Sequence, residues 1–228
     1  MKKYRGIIFD FNGVLLWDTL WHEAVWKEII PELAGRIVSA KEWNEHAHAR
    51  TNQEIFSYLL GRDVSSEAFK LIEMKESKYR AYALSQGKNF KLSPGAVELL
   101  NFLADKQVQR TIATNSDITN VKFFFKHLQL KRWFDFAKVV YNNGNLPGKP
   151  DPTIYNLAAE KINLSPAECI VVEDAPVGIA AANAAHIGKV IALGPKKNHA
   201  ALRKIKGVGQ VISDLSEIDR KEFFIAKP

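Results

Sequence analysis

Gly6-Ile7-Ile8-Phe9-Asp10-Phe11-Asn12-Gly13-Val14 is the stretch that decides the fold class. Its apolar run stops at Asp10, so it reads as a short buried strand with a carboxylate at its carboxyl end. Further runs of β-forming residues follow at Arg110–Ala113, Ala137–Tyr141, Cys169–Val172, Lys189–Leu193 and Val208–Ile212. From residue 94 onward, helical stretches separate them: Pro94–Lys106, Ile118–Leu130, Pro152–Ile162, Pro176–Ala185 and a weaker one, His199–Ile205. Strand and helix in alternation predict βαβ units and a parallel sheet. Ser93 before Pro94, Asp151 before Pro152, and Pro176 itself are the expected helix starts.

Residues 17–90 break this rhythm. They hold no convincing strand but four amphipathic helical stretches, Asp18–Ile30, Lys41–Arg50, Asn52–Leu60 and Ser66–Ser85. The expected organisation is an α/β core made of residues 1–16 and 91–228, split after its first strand by a helical domain at 17–90. Four of the five tryptophans (Trp17, Trp21, Trp26, Trp43) fall at or inside the insertion. They are expected either to form its core or to wall a pocket. Asp18 is expected to cap the first inserted helix.

The 228 residues are 46% hydrophobic and 25% charged, which excludes disordered and fibrous classes. No apolar run approaches the roughly 18 residues of a membrane span, so no membrane association is expected. Basic residues open the chain, but Ile7-Ile8-Phe9 is too short for a secretory core. The single cysteine, Cys169, fits a reducing compartment and reads as a small buried hydrophobe. The protein is expected to be cytoplasmic, with a monomer favoured. The net charge of +7 suits anionic partners such as phosphates. No basic run exceeds a pair such as Lys196-Lys197, and no nucleic acid is expected as partner.

In an open parallel sheet, ligands bind at the carboxyl ends of the strands. Four such ends offer Asp10-Phe11-Asn12-Gly13-Val14, Thr114-Asn115-Ser116, Gly148-Lys149-Pro150-Asp151-Pro152 and Glu173-Asp174-Ala175-Pro176-Val177-Gly178. Asp10, Glu173 and Asp174 brought close together would repel one another unless a cation intervened. A hard divalent ion held by oxygens, Mg²⁺, resolves this and brings phosphate with it. Lys149 can balance an anion, while Thr114 and the backbone N–H groups around Asn12 and Gly13 can donate to phosphoryl oxygens. A carboxylate nucleophile with Mg²⁺ and a lysine describes phosphoryl transfer through an aspartyl phosphate.

Those four segments, in this order, resemble the motifs of the haloacid dehalogenase (HAD) superfamily. The insertion resembles the C1 helical cap of its β-phosphoglucomutase-like and phosphatase subgroup. The resemblance covers nearly the whole chain and implies a Rossmann-like core with a cap domain after the first strand. It implies a Mg²⁺-dependent hydrolase acting on a small phosphorylated metabolite, with Asp10 as nucleophile and metal ligand. The backbone carbonyl of Asn12 and the side chain of Asp174 would also bind the metal, with Glu173 close by or acting through water. Thr114 and Lys149 match phosphate-binding positions.

At position 12 most phosphatases of the superfamily carry an aspartate that serves as general acid and base. An amide can hydrogen-bond a leaving-group oxygen but cannot hand it a proton. That loss typically costs about 10²- to 10⁴-fold in rate. Three readings stand side by side: substrates with good leaving groups such as acyl phosphates, a slow phosphatase or phosphometabolite binder, or an aspartate deliberately replaced to trap ligand. A phosphosugar mutase is the alternative enzyme, and Asn12 counts against it, because the proton shuttle would have to serve two hydroxyl groups. The resemblance further implies substrate contacts by His22, twelve residues after Asp10, and by Arg50. Asn115 and Ser116 are candidate substrate contacts, and Lys75 matches a cap-helix lysine only loosely. His46 and His48, two apart on a helix, face different sides and are not expected to share a metal.

Overall fold

In the computed structural model, residues 3–46 and 51–224 are described. They divide into two compact units, one holding the residues up to Trp17 and from Lys91 onward, the other Asp18–Phe90.

The first unit is built on six strands: β1 (Gly6–Phe9), β2 (Gln109–Asp117), β3 (Val140–Asn142), β4 (Cys169–Glu173), β5 (Lys189–Leu193) and β6 (Val208–Ile212). Their spatial order is β3-β2-β1-β4-β5-β6, every neighbouring pair being parallel. This is the parallel α/β sheet that the alternating sequence pattern predicts and the Rossmann-like core that the resemblance implies. A parallel sheet is covered on both faces, so the middle positions of its inner strands are buried at every residue rather than at every second one. Beneath one face Ile8, Ala113, Val171, Val190 and Ala192 pack with α7 (Thr153–Lys161) and α8 (Pro176–Ala184). The alternate residues Ile7, Phe9, Ile112, Ile170 and Val172 are as deeply buried. On them Phe9 meets Phe134 edge-on, and Phe11 stacks on Phe124 with ring centroids 4.3 Å apart. Each side chain of this size contributes about 1.5–3 kcal/mol by leaving water. α5 (Ala96–Asp105), α6 (Ile118–His127) and the one-turn α9 (His199–Leu202) complete the unit.

Two local expectations are corrected here. Ser93 does not start α5. Gly95 occupies the cap position in the left-handed region, and Ser93 turns inward, its hydroxyl donating to the Val14 carbonyl (2.6 Å) and its N–H to Leu15 (2.9 Å). The chain therefore re-enters the α/β unit beside the loop from which it left. β2 does not stop at Ala113 but continues to Asp117, with a break of register against β3 between Thr114 and Asp117.

The second unit comprises α1 (Thr19–Ala34), α2 (Ala40–His46), α3 (Asn52–Leu60) and α4 (Ala68–Ser85). Trp26, Ile29, Ile30, Ile55, Phe56 and Leu59 form its core. Trp43 packs against Trp26 at 5.9 Å, whereas Trp17 at the edge of the other unit is half exposed. α1 continues four residues past the expected end at Ile30, carrying Pro31 in its last turn. α3 opens with a capping box between Thr51 and Glu54, which satisfies two otherwise orphaned N–H groups. Asp18 is not a side-chain cap, contrary to expectation. Its carboxylate is buried and accepts a hydrogen bond from the Tyr79 hydroxyl of α4.

Candidate active site

Adjacent parallel strands bring their carboxyl ends to one edge, and β1 and β4 are neighbours with Phe9 opposite Val172. The next residues, Asp10 and Glu173, therefore emerge side by side. The Asp10 N–H donates to the Val172 carbonyl (3.0 Å), fixing the point where its side chain departs. Lys149 arrives from the loop between β3 and α7. Its Nζ lies 2.5 Å from Asp10 Oδ1 and 2.5 Å from Glu173 Oε1, on a side chain only 4% exposed. Burial alone would lower the pKa of this ammonium, but the Asp10 and Glu173 carboxylates more than offset it and hold the group above the usual lysine range.

Glu173 is saturated with donors. Oε1 accepts from Lys149 and from the Tyr155 hydroxyl (2.7 Å), and Oε2 accepts from the N–H groups of Asp174 (3.0 Å) and Ala175 (3.1 Å). Burial, reinforced by Glu173 and Asp10, pushes the Tyr155 phenol well above its ordinary pKa and keeps it a neutral donor. Gly178 makes room for this anchor, because a Cβ there would lie 1.8 Å from Glu173 Oε1. Gly13 does the same for Asp174. Its φ is +83°, and a Cβ would sit 2.0 Å from Asp174 Oδ2. Oxygens of Asp10, Glu173 and Asp174 lie within 4.8 Å of one another, the one such metal-capable cluster among the described residues.

The irregular end of β2 supplies a second group. Thr114 is buried, and its Oγ1 accepts from the Ser116 N–H (3.1 Å). The Ser116 hydroxyl donates in turn to Asn12 Oδ1 (2.7 Å). Asn115 is exposed at the same strand end. Of the residues singled out from the sequence, Asp10, Asn12, Thr114, Asn115, Ser116, Lys149, Glu173 and Asp174 thus belong to three strand ends and one loop of the α/β unit.

His22 lies on α1 in the helical unit. Its ring stacks on Tyr79 at 3.9 Å, Nδ1 is 2.7 Å from Lys75 Nζ, and Nε2 is 3.4 Å from Asp18 Oδ2. Lys75 is buried and bonds Glu76 (2.8 Å), which also accepts from Asn52 (2.7 Å). His46 stacks on Tyr58. Arg50 and His48 lie outside the described residues. Cys169 is buried in β4, and burial raises its thiol to about 12, consistent with an inert core residue. Sequence reasoning missed Tyr155 altogether. At its position in α7 an aromatic residue has the same pattern whether it only packs or also reaches a carboxylate.

A family model described as haloacid dehalogenase-like hydrolase matches residues 4–186. A solved HAD hydrolase of family IA, variant 3, from Entamoeba histolytica is 34% identical, covers 97% of each chain and superposes with a TM-score of 0.89. A phosphorylated carbohydrates phosphatase from Thermotoga maritima is 30% identical over 195 residues, 82% of this chain and 83% of that protein. A beta-phosphoglucomutase from Bacillus subtilis is 28% identical over 186 residues, 79% of this chain and 80% of that protein. No helix among the described residues is long and apolar enough to cross a membrane.

Proposed function

The chain belongs to the haloacid dehalogenase-like hydrolase family, and from that premise we propose that it is a Mg²⁺-dependent phosphatase of a small phosphorylated metabolite, working through an aspartyl phosphate on Asp10. The observation that carries the reading is the constellation of Asp10, Lys149, Glu173 and Asp174 at adjacent strand ends. Three carboxylates against one ammonium leave net negative charge in a mostly buried place, which suits a hard divalent cation. The notch opposite Gly13 leaves Asp174 its room there. Asp10 and Asp174 would hold the ion, with the Asn12 carbonyl, and Glu173 would stand beside it. When bound, Mg²⁺ supplies positive charge against the phosphoryl oxygens.

The chain's own groups do the rest. An Asp10 oxygen attacks phosphorus in line with the leaving oxygen. Lys149 and the Thr114 hydroxyl stabilise charge on the transferring group. Tyr155 and the two backbone N–H groups keep Glu173, and through it Lys149, in position. Water then cleaves the aspartyl phosphate. Substrate contacts by His22, Arg50 and Asn115, and selection of substrate by the helical insertion as a cap, belong to the same proposal. The Thermotoga relative, named for phosphorylated carbohydrates, supports the substrate class. The Bacillus mutase relative favours a second reading, a phosphosugar mutase, which Asn12 weakens because an amide cannot ferry a proton between two hydroxyl groups.

The test is inorganic phosphate release from acetyl phosphate, sugar phosphates and nucleotides, with Mg²⁺ or with EDTA, for the parent and Asp10→Asn. Release is expected with Mg²⁺ only and to fall on the order of 10³-fold or more in Asp10→Asn. Equal release from Asp10→Asn would refute the nucleophile, and equal release in EDTA would refute the metal.

A further inference from the structure

Glu173 belongs to the acidic cluster, yet protein donors already fill its acceptor sites. An ionised carboxylate offers about four lone-pair sites. Among the described residues four donors take those of Glu173. Lys149 Nζ (2.5 Å) and the Tyr155 hydroxyl (2.7 Å) meet Oε1, and the N–H groups of Asp174 (3.0 Å) and Ala175 (3.1 Å) meet Oε2. The two N–H groups belong to the turn after β4 and come with the backbone. Lys149 is shared with Asp10 and carries charge that balances the cluster. Of the four, only the Tyr155 hydroxyl arrives from a helix, α7, and it adds no charge. Tyr155 and Glu173 are both buried, so bulk water does not compete for their contact.

Divalent ions differ in what a third carboxylate does for them. Mg²⁺ demands near-octahedral geometry, sheds water reluctantly, and is usually held by one or two carboxylates with waters completing its shell. Ca²⁺ takes about six to eight oxygens in looser geometry, and its affinity climbs with the number of charged ligands. Asp10, Glu173 and Asp174 have oxygens within 4.8 Å of one another, near enough for all three to meet one ion. Filling the lone pairs of Glu173 takes it out of that set and leaves two. We infer that Tyr155 is a positioning residue that withholds Glu173 from the cation, so that the site presents two carboxylates instead of three and selects Mg²⁺ over Ca²⁺. The inference rests on the Mg²⁺-dependent reading above and deepens it by naming the side chain that sets the choice of ion. Removing the hydroxyl opens one site on Oε1 without touching the charge, the backbone or Lys149. Glu173 then keeps three donors and gains an oxygen able to enter the shell of an ion that accepts a third carboxylate.

The experiment is calorimetric titration of Mg²⁺, and separately of Ca²⁺, into protein stripped with EDTA and dialysed. It uses the parent, Tyr155→Phe, Glu173→Gln and the double variant, each checked for its fold by circular dichroism. Tyr155→Phe should shift the ratio of the two Kd values toward Ca²⁺ by about tenfold, the lower end of what changing a partner of a metal-site group usually does. Glu173→Gln should weaken both ions alike and keep the parent's ratio, because a withheld carboxylate acts on the ion only through space. In the double variant the shift should vanish, since the carboxylate that Tyr155→Phe releases is gone. A ratio in Tyr155→Phe within about threefold of the parent's, well below the usual range, would overturn the inference while leaving Mg²⁺ at the site. So would a shift that survives in the double variant, because it would not pass through Glu173. Should Tyr155→Phe fail to fold, Glu173→Gln decides alone. A ratio moved toward Mg²⁺ by more than the same margin would place Glu173 at the ion already in the parent and overturn the inference. A parent that binds neither ion would sink the metal part of the phosphatase reading and this inference with it.

Discussion

Replacing Lys149 with methionine removes a charge while nearly conserving volume, and the structure sets what this should do. The Lys149 ammonium touches Asp10 and Glu173 at 2.5 Å each, in a position where water cannot take over. Stripping one partner from a buried ion pair typically costs about 3–5 kcal/mol, because the remaining charge is left uncompensated. The chain has an escape, which is to protonate one carboxylate. At pH 7, neutralising a group of pKa near 3.9 costs about 4 kcal/mol at 1.36 kcal/mol per pKa unit, which caps the penalty. At pH 5 the same cap falls to about 1.5 kcal/mol. For a chain of this size each kcal/mol shifts Tm by about 2–4 °C, so the variant should melt about 8–16 °C below the parent in EDTA at pH 7. The sign with pH is opposite to that of an ordinary salt-bridged acid. Here the folded variant holds its carboxyl proton more tightly than the unfolded chain does, so the deficit is fully present at neutral pH and shrinks as pH falls toward about 4. Added Mg²⁺ should recover part of the loss. Calorimetry or a fluorescence melt at both pH values reads all of this. A Lys149→Met variant melting within about 2 °C of the parent in EDTA at pH 7 would refute the claim that this lysine is the cation holding the acidic cluster together.

Gly178→Ala places a methyl carbon within 1.8–2.4 Å of both Glu173 carboxylate oxygens, so the anchor must move and release Lys149. Turnover should fall about 10²-fold, the usual effect of a displacement near 1 Å, with the circular dichroism spectrum retained; turnover within twofold of the parent would contradict the anchoring role. Cys169, raised to about 12, should be thiolate in only about one molecule in 10⁴ at pH 8. It should therefore ignore a thiol reagent until denaturant unfolds the chain, and rapid labelling of the native protein would be the contrary result.

Much of the architecture was legible because the same physics writes both pattern and structure. The runs Gly6–Phe9, Lys189–Leu193 and Val208–Ile212 coincide with β1, β5 and β6, since a strand that enters or leaves a buried sheet changes from apolar to polar at its ends. The Asn52–Leu60 helix was equally clear, bounded by its Thr51 cap and Gly61. What stayed hidden depended on partners remote in sequence. Nothing local says that β2 runs on through Thr114-Asn115-Ser116, because the extension depends on how β3 pairs with it. Asp18 precedes a helix as a cap would, and only Tyr79, distant in sequence, explains why its carboxylate turns inward. Lys75 matched a cap-helix lysine only loosely in the sequence, and its burial and its partners His22 and Glu76 could not be read there. At the acidic cluster the residue types announced themselves, whereas the donors that saturate Glu173, and the pairing of Ser116 with Asn12, are facts of three-dimensional placement.

The position of β1 in the sheet has a consequence for the birth of the molecule. It is the first strand to be made, yet it lies between β2 and β4, and the lysine that meets Asp10 is 139 positions further along. At ordinary rates of synthesis, on the order of ten seconds pass between the appearance of β1 and that of β4. Through that interval the nascent chain carries Ile7-Ile8-Phe9 with at least one edge open, an invitation to chaperones and to other unfinished chains. The last strand end needed by Asp10 arrives only with Glu173 and Asp174. A polypeptide halted before them holds Asp10 and Lys149 but lacks two of the three carboxylates of the acidic cluster.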